Sequence, residues 1–213
     1  NLKLLMYSYI YRFIQKIILK KSFYDTFIKI IEKEKIKTIV EIGCADAPIL
    51  DKLKNFVYYG YDTEKKFIKK LRNKYKNISK YNFDSTSIEK IDFKKHNPKT
   101  TIILLIGVFH HVNDTKISLF LKKTKKFKIY AVDAIRIEDQ NFFTKFLLDN
   151  DVGKFVRYFT QYKDLLTDYS FFLARNKYLI FPYFISNNQF RFFMLFLIQF
   201  FFDFQISVFK WNI

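Results

Sequence analysis

Cysteine occurs once in this chain of 213 residues, at Cys44, and histidine only three times. A disulfide framework is therefore excluded. A structural zinc site would lack ligands, so no metal is expected. Glycine (four) and proline (three) are nearly as scarce, which excludes collagen-like repeats, Gly/Pro-rich linkers and loop-dominated folds. Acidic residues are outnumbered 20 to 38, for a net charge of +18. Lysine supplies 32 of those cations and arginine only 6. Phosphate and base recognition favours arginine's planar fork, and these lysines are scattered along the whole chain. The charge is therefore read as compositional bias in preference to a nucleic-acid surface, although it predicts attraction to polyanions at low salt. No signal-peptide pattern is visible, so the expected location is cytoplasmic. Apolar residues make up 50% of the chain, enough for a real core.

Residues 2–34 read as helix. Leu5, Tyr9, Phe13 and Ile17, then Phe23, Phe27, Ile30 and Ile31, recur at spacings of three and four, with lysines between. From Thr38 the pattern changes. Short apolar runs at 38–43, 56–62, 78–84, 101–107 and 128–134 alternate with amphipathic stretches at 46–55, 64–75 and 114–127. Strands alternating with helices of crossover length predict βαβ units and a parallel sheet. A helix at 140–148, a turn at 149–153 and a short helix at 162–167 follow. Two apolar runs, 169–175 and 178–185, are split by Asn176-Lys177 and predict a closing antiparallel hairpin. The expected organisation is a helical cap (1–36), an α/β domain (37–188) and a tail (189–213). The tail holds eight phenylalanines in the sixteen residues from Phe190 to Gln205. Its apolar run falls short of the ~20 residues a membrane span needs, and Asp203 interrupts it. Gln199, Asp203, Ser207 and Lys210 fall on one face of a helical wheel. A helix over 190–213 is expected, serving as a peripheral membrane contact, a dimer or partner contact, or a cover for the core.

Because glycine is rare, its positions carry information. Gly43, Gly60 and Gly107 lie at or near the C-terminal ends of predicted strands, the edge where open α/β sheets bind ligands. Gly43 sits in EIGCADA (41–47), between a strand and a helix. A pyrophosphate site would show G-x-G-x-x-G there; instead there is an acid, Glu41, one glycine, then Ala45 and Ala47. An acid at the start of the loop suits a ligand with a cationic ammonium end. Asp62 closes the second strand, where a carboxylate can accept both hydroxyls of a ribose. Asp84 closes the third, where, with Ser85 beside it, it can accept from an adenine amino group.

These residues resemble the class I S-adenosylmethionine-dependent methyltransferases. EIGCADA is similar to their acidic-x-Gly-x-Gly-x-Gly loop with both later glycines replaced by alanine. GYD, FDSTS and LLIGVFHHV (104–112) resemble the second, third and fourth motifs. DNDVGKFVRYFTQYKDLL (149–166), YLIFPY (178–183) and YIYRFIQKII (9–18) resemble segments of a small bacterial subgroup. The resemblance covers about residues 7–187. It implies a Rossmann-like, doubly wound, mostly parallel seven-stranded sheet with an antiparallel terminal hairpin, and S-adenosyl-L-methionine as cofactor. Glu41 and Gly43 would frame its methionine end, Asp62 its ribose, Asp84 and Ser85 its adenine. The backbone of Ile106 and Gly107 would line the sulfonium side. Tyr7, Tyr11 or Gln15 would cap it.

Methyl transfer from a sulfonium needs alignment and dryness more than a metal or a covalent intermediate. A base is needed only when the acceptor must lose a proton, and His111 or His110, after the fourth strand, are the candidates. Arg157 is either an acceptor contact or a structural ion pair. The expected acceptor is a small molecule. No Asn/Asp-Pro-Pro-aromatic tetrad follows the fourth strand, which argues against a nucleic-acid substrate. The alternative is a non-catalytic Rossmann-like binding or scaffold protein, which Ala45, Ala47 and the unusual tail motivate.

Overall fold

The computed structural model describes residues 22–136, parts of 138–165, and short strands at 172–174, 192–193 and 206–210. Five strands form the centre: β1 (Thr38–Ile42), β2 (Val57–Asp62), β3 (Tyr81–Ser85), β4 (Thr101–Ile106) and β5 (Lys128–Arg136). They run parallel in the order β3-β2-β1-β4-β5. The chain winds outward from β1 through β3, then returns to start β4 on the other side of β1. The C-terminal ends of β1 and β4 thus diverge into a crevice, the usual ligand position in such a sheet.

The burial pattern explains the arrangement. Residues 101–105 of β4 are all buried, as a strand covered on both faces requires. Helix α1 (Ser22–Lys33) presents Phe27 and Ile31, one turn apart and both 0% exposed. The Phe27 ring packs on Tyr130 of β5 with centroids 5.0 Å apart. Each such side chain contributes about 1.5–3 kcal/mol by leaving water. Helix α2 (Lys65–Lys74) buries Ile68 and Leu71 against the sheet. Helix α3 (Asp114–Thr124) buries Ile117, Phe120, Leu121 and Thr124, and Asn113 caps it by accepting from the Lys116 amide at 3.0 Å. Helix α4 (Phe159–Leu165) buries Tyr162.

Two expectations change. The helix expected over 46–55 is only a 3-10 turn, Pro48–Lys52, because Ala47 is left-handed and Leu53 already leaves helical geometry. The closing hairpin of 169–175 with 178–185 is described only in its first arm. Strand β7 (Phe172–Ala174) pairs antiparallel with β9 (Ile206–Lys210), and 178–185 lie outside the described residues. Strand β9 also pairs antiparallel with β5, while β6 (Arg157–Tyr158) and β8 (Phe192–Phe193) pair parallel with β5. The helix expected over 190–213 therefore contains strand segments. Gln199, Asp203 and Ser207 share a spacing of four, which a strand's period of two satisfies equally, whereas Lys210, three further on, falls on the other face of a strand. From Phe202 to Val208 apolar and polar residues alternate strictly, a strand pattern. The mostly parallel α/β sheet stands, with its extra strands on the β5 side. Residues 2–21, including Tyr7, Tyr11 and Gln15, lie outside the described residues. Among the described residues no helix is long and apolar enough to cross a membrane.

Candidate active site

The loop leaving β1 is built on left-handed residues. Gly43, Ala45 and Ala47 have φ of 69°, 45° and 48°, and Gly107, just past β4, has 64°. The amides of Gly43 and Cys44 donate to the Tyr61 carbonyl at 2.8 and 3.1 Å. Asp62 fastens the loop from β2: its Oδ2 accepts from the Ala45 amide at 2.9 Å and its Oδ1 from the Glu64 amide at 2.8 Å. A Cβ on Gly43 would stand 2.7 Å from Val108 Cγ2, so the two loops at the crevice touch only because that position is glycine.

Over these loops lies a cavity of about 640 Å³, a size suited to a cofactor or drug-like ligand. Gly43, Ala45, Ile106 and Gly107 line its sheet side, Asp62 and Glu64 one wall, and Thr86, Ser87 and Glu89 another. His111, Val112, Lys116 and Phe155 border the rest. Three carboxylates in one cavity are notable in so basic a chain. Glu89 receives the Ser87 hydroxyl at 2.9 Å and Lys116 Nζ at 3.1 Å. Burial alone would raise its pKa, but its own amide, Ser87 and Lys116 outweigh that and lower it, so Glu89 is a carboxylate. Its Oε2 is buried without a hydrogen-bond partner among the described residues, a site for a donor from a ligand.

Of the residues expected at the site, Gly43, Asp62, Ile106, Gly107 and His111 line this cavity, whereas Glu41, Asp84, Ser85 and His110 do not. Glu41 is buried behind the loop and accepts from the Tyr58 hydroxyl. Burial pushes its pKa up to about 8, against the lowering by Tyr58; Asp46 and Asp62 add to the rise. Asp84 alternates outward on β3 and pairs with Arg72 of α2 at 3.2 Å, and Ser85 accompanies it. The turn that follows them, Thr86 to Glu89, reaches the cavity in their place. Gly60 is mid-strand, and its reason is packing: a Cβ would stand 2.9–3.0 Å from Tyr58, Cys44 and Phe83.

The paired histidines separate. His110 is buried and does not line the cavity. Its Nδ1 pairs with Asp133, its amide donates to the other Asp133 oxygen at 2.9 Å, and its Nε2 faces Asp151 at 3.6 Å. Burial works against its charge, but Asp133 and Asp151 prevail and raise its pKa. His111 reaches the cavity. Partial burial, and then the neighbouring His110, lower its pKa, so its ring is neutral near pH 7 and can accept a proton. The third histidine, His96, is remote and packs edge-on against Tyr59 at 4.6 Å. Arg157 is the ion pair of the two alternatives: it is 4% exposed and bonds Asp114 through Nε at 2.8 Å. Glu89, Lys116 and Phe155 carried no signal in the sequence, being ordinary members of a lysine-rich helix and of loops. Among the described residues no group of His, Cys, Asp or Glu could hold a metal ion.

Residues 40–127 match the family model described as a methyltransferase domain. Among solved structures, the chain is similar to the methyltransferase domain of bacterial CtHen1, at 13% identity and a TM-score of 0.57, over 89% of this chain and 97% of that one. It is also similar to the YcgJ protein of Bacillus subtilis (12% identity, TM-score 0.55, 71% of each chain). A third is the plantazolicin methyltransferase BpumL, solved with a pentazolic desmethylPZN analog and SAH (18% identity, TM-score 0.51, 73% of this chain and 70% of that one). No match is found among curated proteins. The sheet order and the crevice define a Rossmann-like fold, and the match to a methyltransferase domain covers residues 40–127 of it.

Proposed function

We propose that this chain transfers a methyl group from S-adenosyl-L-methionine to a small-molecule acceptor, with His111 as the base when the acceptor must lose a proton. One observation carries the reading: a single cavity at the sheet's switch point brings together Gly43, Asp62, Gly107 and a neutral histidine.

The residues fit the cofactor. A left-handed loop of small residues leaves backbone open to the cavity, Asp62 offers acceptor capacity for ribose hydroxyls, and Glu89 Oε2 is an acceptor in want of a donor. Thr86, Ser87 and Glu89 then serve the adenine end, with Asp84 and Ser85 shaping that turn from outside. Glu41 supports the loop from behind, bonded to Tyr58, as a buried residue beneath the methionine end. Ile106 and Gly107 border the sulfonium side. When bound, S-adenosylmethionine supplies an electrophilic methyl on a cationic sulfur that leaves as a neutral thioether. The chain's own residues align the acceptor, exclude water and, at a ring nitrogen of His111, hold the acceptor's proton.

Calorimetry with S-adenosylhomocysteine tests this. The folded chain should bind it, and Asp62→Ala should weaken binding by roughly 10- to 100-fold, the value of one or two charge-assisted hydrogen bonds. A folded chain with no affinity defeats the proposal. Binding with no transfer to any tried acceptor would favour the non-catalytic alternative, which alanine at two left-handed positions supports.

A further inference from the structure

After β5 the chain forms a strap, residues 151–157, lying across the turn that follows β4. It is fixed at both ends. Asp151 Oδ1 lies 3.6 Å from His110 Nε2, with both side chains under 5% exposed. Arg157 donates to the carbonyls of Phe109 at 2.8 Å and Val112 at 2.6 Å as well as to Asp114. Between these anchors the Phe155 amide donates to the His110 carbonyl at 2.9 Å. The strap presses so closely on the imidazole that a Cβ on Gly153 would stand 2.1 Å from His110 Cδ2. What remains outside the clamp is the Phe155 ring, 38% exposed and lining the cavity.

Asp133, on β5, takes one ring nitrogen of His110, and Asp151, on the strap, faces the other. A neutral imidazole has one N–H and can satisfy one carboxylate; a second carboxylate 3.6 Å from Nε2, itself held by the Gly153 amide at 2.6 Å, favours the imidazolium electrostatically. We infer that His110 is a positioning residue: clamped between Asp133 and Asp151, it holds Phe155 as the roof of the cavity. That the roof covers a bound cofactor rests on the methyltransferase reading; the clamp itself does not. The groups facing His110 are Asp133, Asp151, His111 and Arg157, with Tyr162 bonded to Asp133 at 3.1 Å. The two carboxylates outweigh burial and Arg157, so the charge persists above the ordinary histidine value of 6.5. The clamp is complete below that value and loosens as pH rises through the raised pKa.

Three measurements test this on the full chain. Hydrogen exchange of peptides spanning 151–157, corrected for the intrinsic rate, should show protection falling roughly tenfold on the alkaline side, while β4 stays constant. His110→Asn should be exposed at every pH. Release of S-adenosylhomocysteine should be roughly fivefold faster from Phe155→Ala, whose strap stays protected, and also from His110→Asn. Should His110→Asn fail to fold, nitrogen NMR of the wild type decides: a His110 ring that titrates above the ordinary histidine value of 6.5 supports the clamp, and one that titrates below it overturns the clamp. Strap protection independent of pH overturns it too, and wild-type release from Phe155→Ala overturns the roof. A wild type that binds no S-adenosylhomocysteine defeats the methyltransferase reading and the roof with it, while exchange still decides the clamp.

Discussion

Alanine at two left-handed positions of the β1 loop makes a differential prediction. Ala45 and Ala47 have nearly the same φ, 45° and 48°, so the same steric strain, about 1–2 kcal/mol each, is present at both. Glycine relieves it but costs about 0.5–1 kcal/mol of extra unfolded-state entropy. The two sites then part company. Ala45 is half-buried and lines the cavity, so its methyl packs little. Ala47 is 2% exposed and belongs to the core, so losing its methyl costs a further ~0.8 kcal/mol. Ala45→Gly should therefore stabilise by about 0.5–1 kcal/mol, raising Tm by about 1–4 °C in a chain of this size. Ala47→Gly should be neutral within about 0.5 kcal/mol. Gly43→Ala should lose about 2–4 kcal/mol, from left-handed strain plus the clash with Val108. Calorimetric melts of the three variants are the assay. If Ala47→Gly is the stabilising one, or Ala45→Gly costs stability, the reading of the loop as strained is refuted.

Glu41 should make stability depend on pH. Its folded pKa is raised from 4.5 to about 8, so the folded state keeps a proton that the unfolded chain gives up. Stability should fall as pH rises through that window, by up to about 1.4 kcal/mol per unit, and level off above it. Urea titrations at intervals across the window should show the decline in the wild type and its absence in Glu41→Gln. Arg157→Ala should cost about 3–5 kcal/mol, because Asp114 and the carbonyls of Phe109, Val112 and Phe155 lose their donor; Arg157→Lys should recover little, lacking the fork, and denaturant melts would show it. Glu89→Gln should leave the fold stable but weaken S-adenosylhomocysteine roughly 3- to 10-fold in calorimetry, through loss of an ionised acceptor facing the cavity.

The central five strands were legible because β-sheet burial writes itself into short apolar runs: 38–43, 56–62, 78–84, 101–107 and 128–134 each contain or closely bracket an observed strand. Gly43, Asp62 and Gly107 were legible because strand ends demand particular residue types, and Asn113 because a cap must accept. Asp84 misled because a carboxylate at a strand end points to either face of the sheet, and residue type does not say which; here Arg72 draws it outward. The histidine pair divides differently: in the 3-10 turn Phe109–His111 the two rings stay 4.0 Å apart, yet only His111 reaches the cavity. His110 was claimed by Asp133 and Asp151, residues 23 and 41 positions away that no local pattern connects to it. In the tail, Gln199, Asp203 and Ser207 are spaced by four, which is common to helix and strand, and only the step of three to Lys210 favours the helix.

Asp62 has two employers. Its oxygens already secure the amides of Ala45 and Glu64, so the carboxylate that would greet a nucleoside is also the keystone of its own arch. A descendant that abandoned catalysis would have reason to keep it, and one that sought a different nucleoside could not exchange it without loosening the arch. Retooling of this cavity should therefore begin at Thr86, Ser87 and Glu89, where a side chain can change without unroofing the loop beneath.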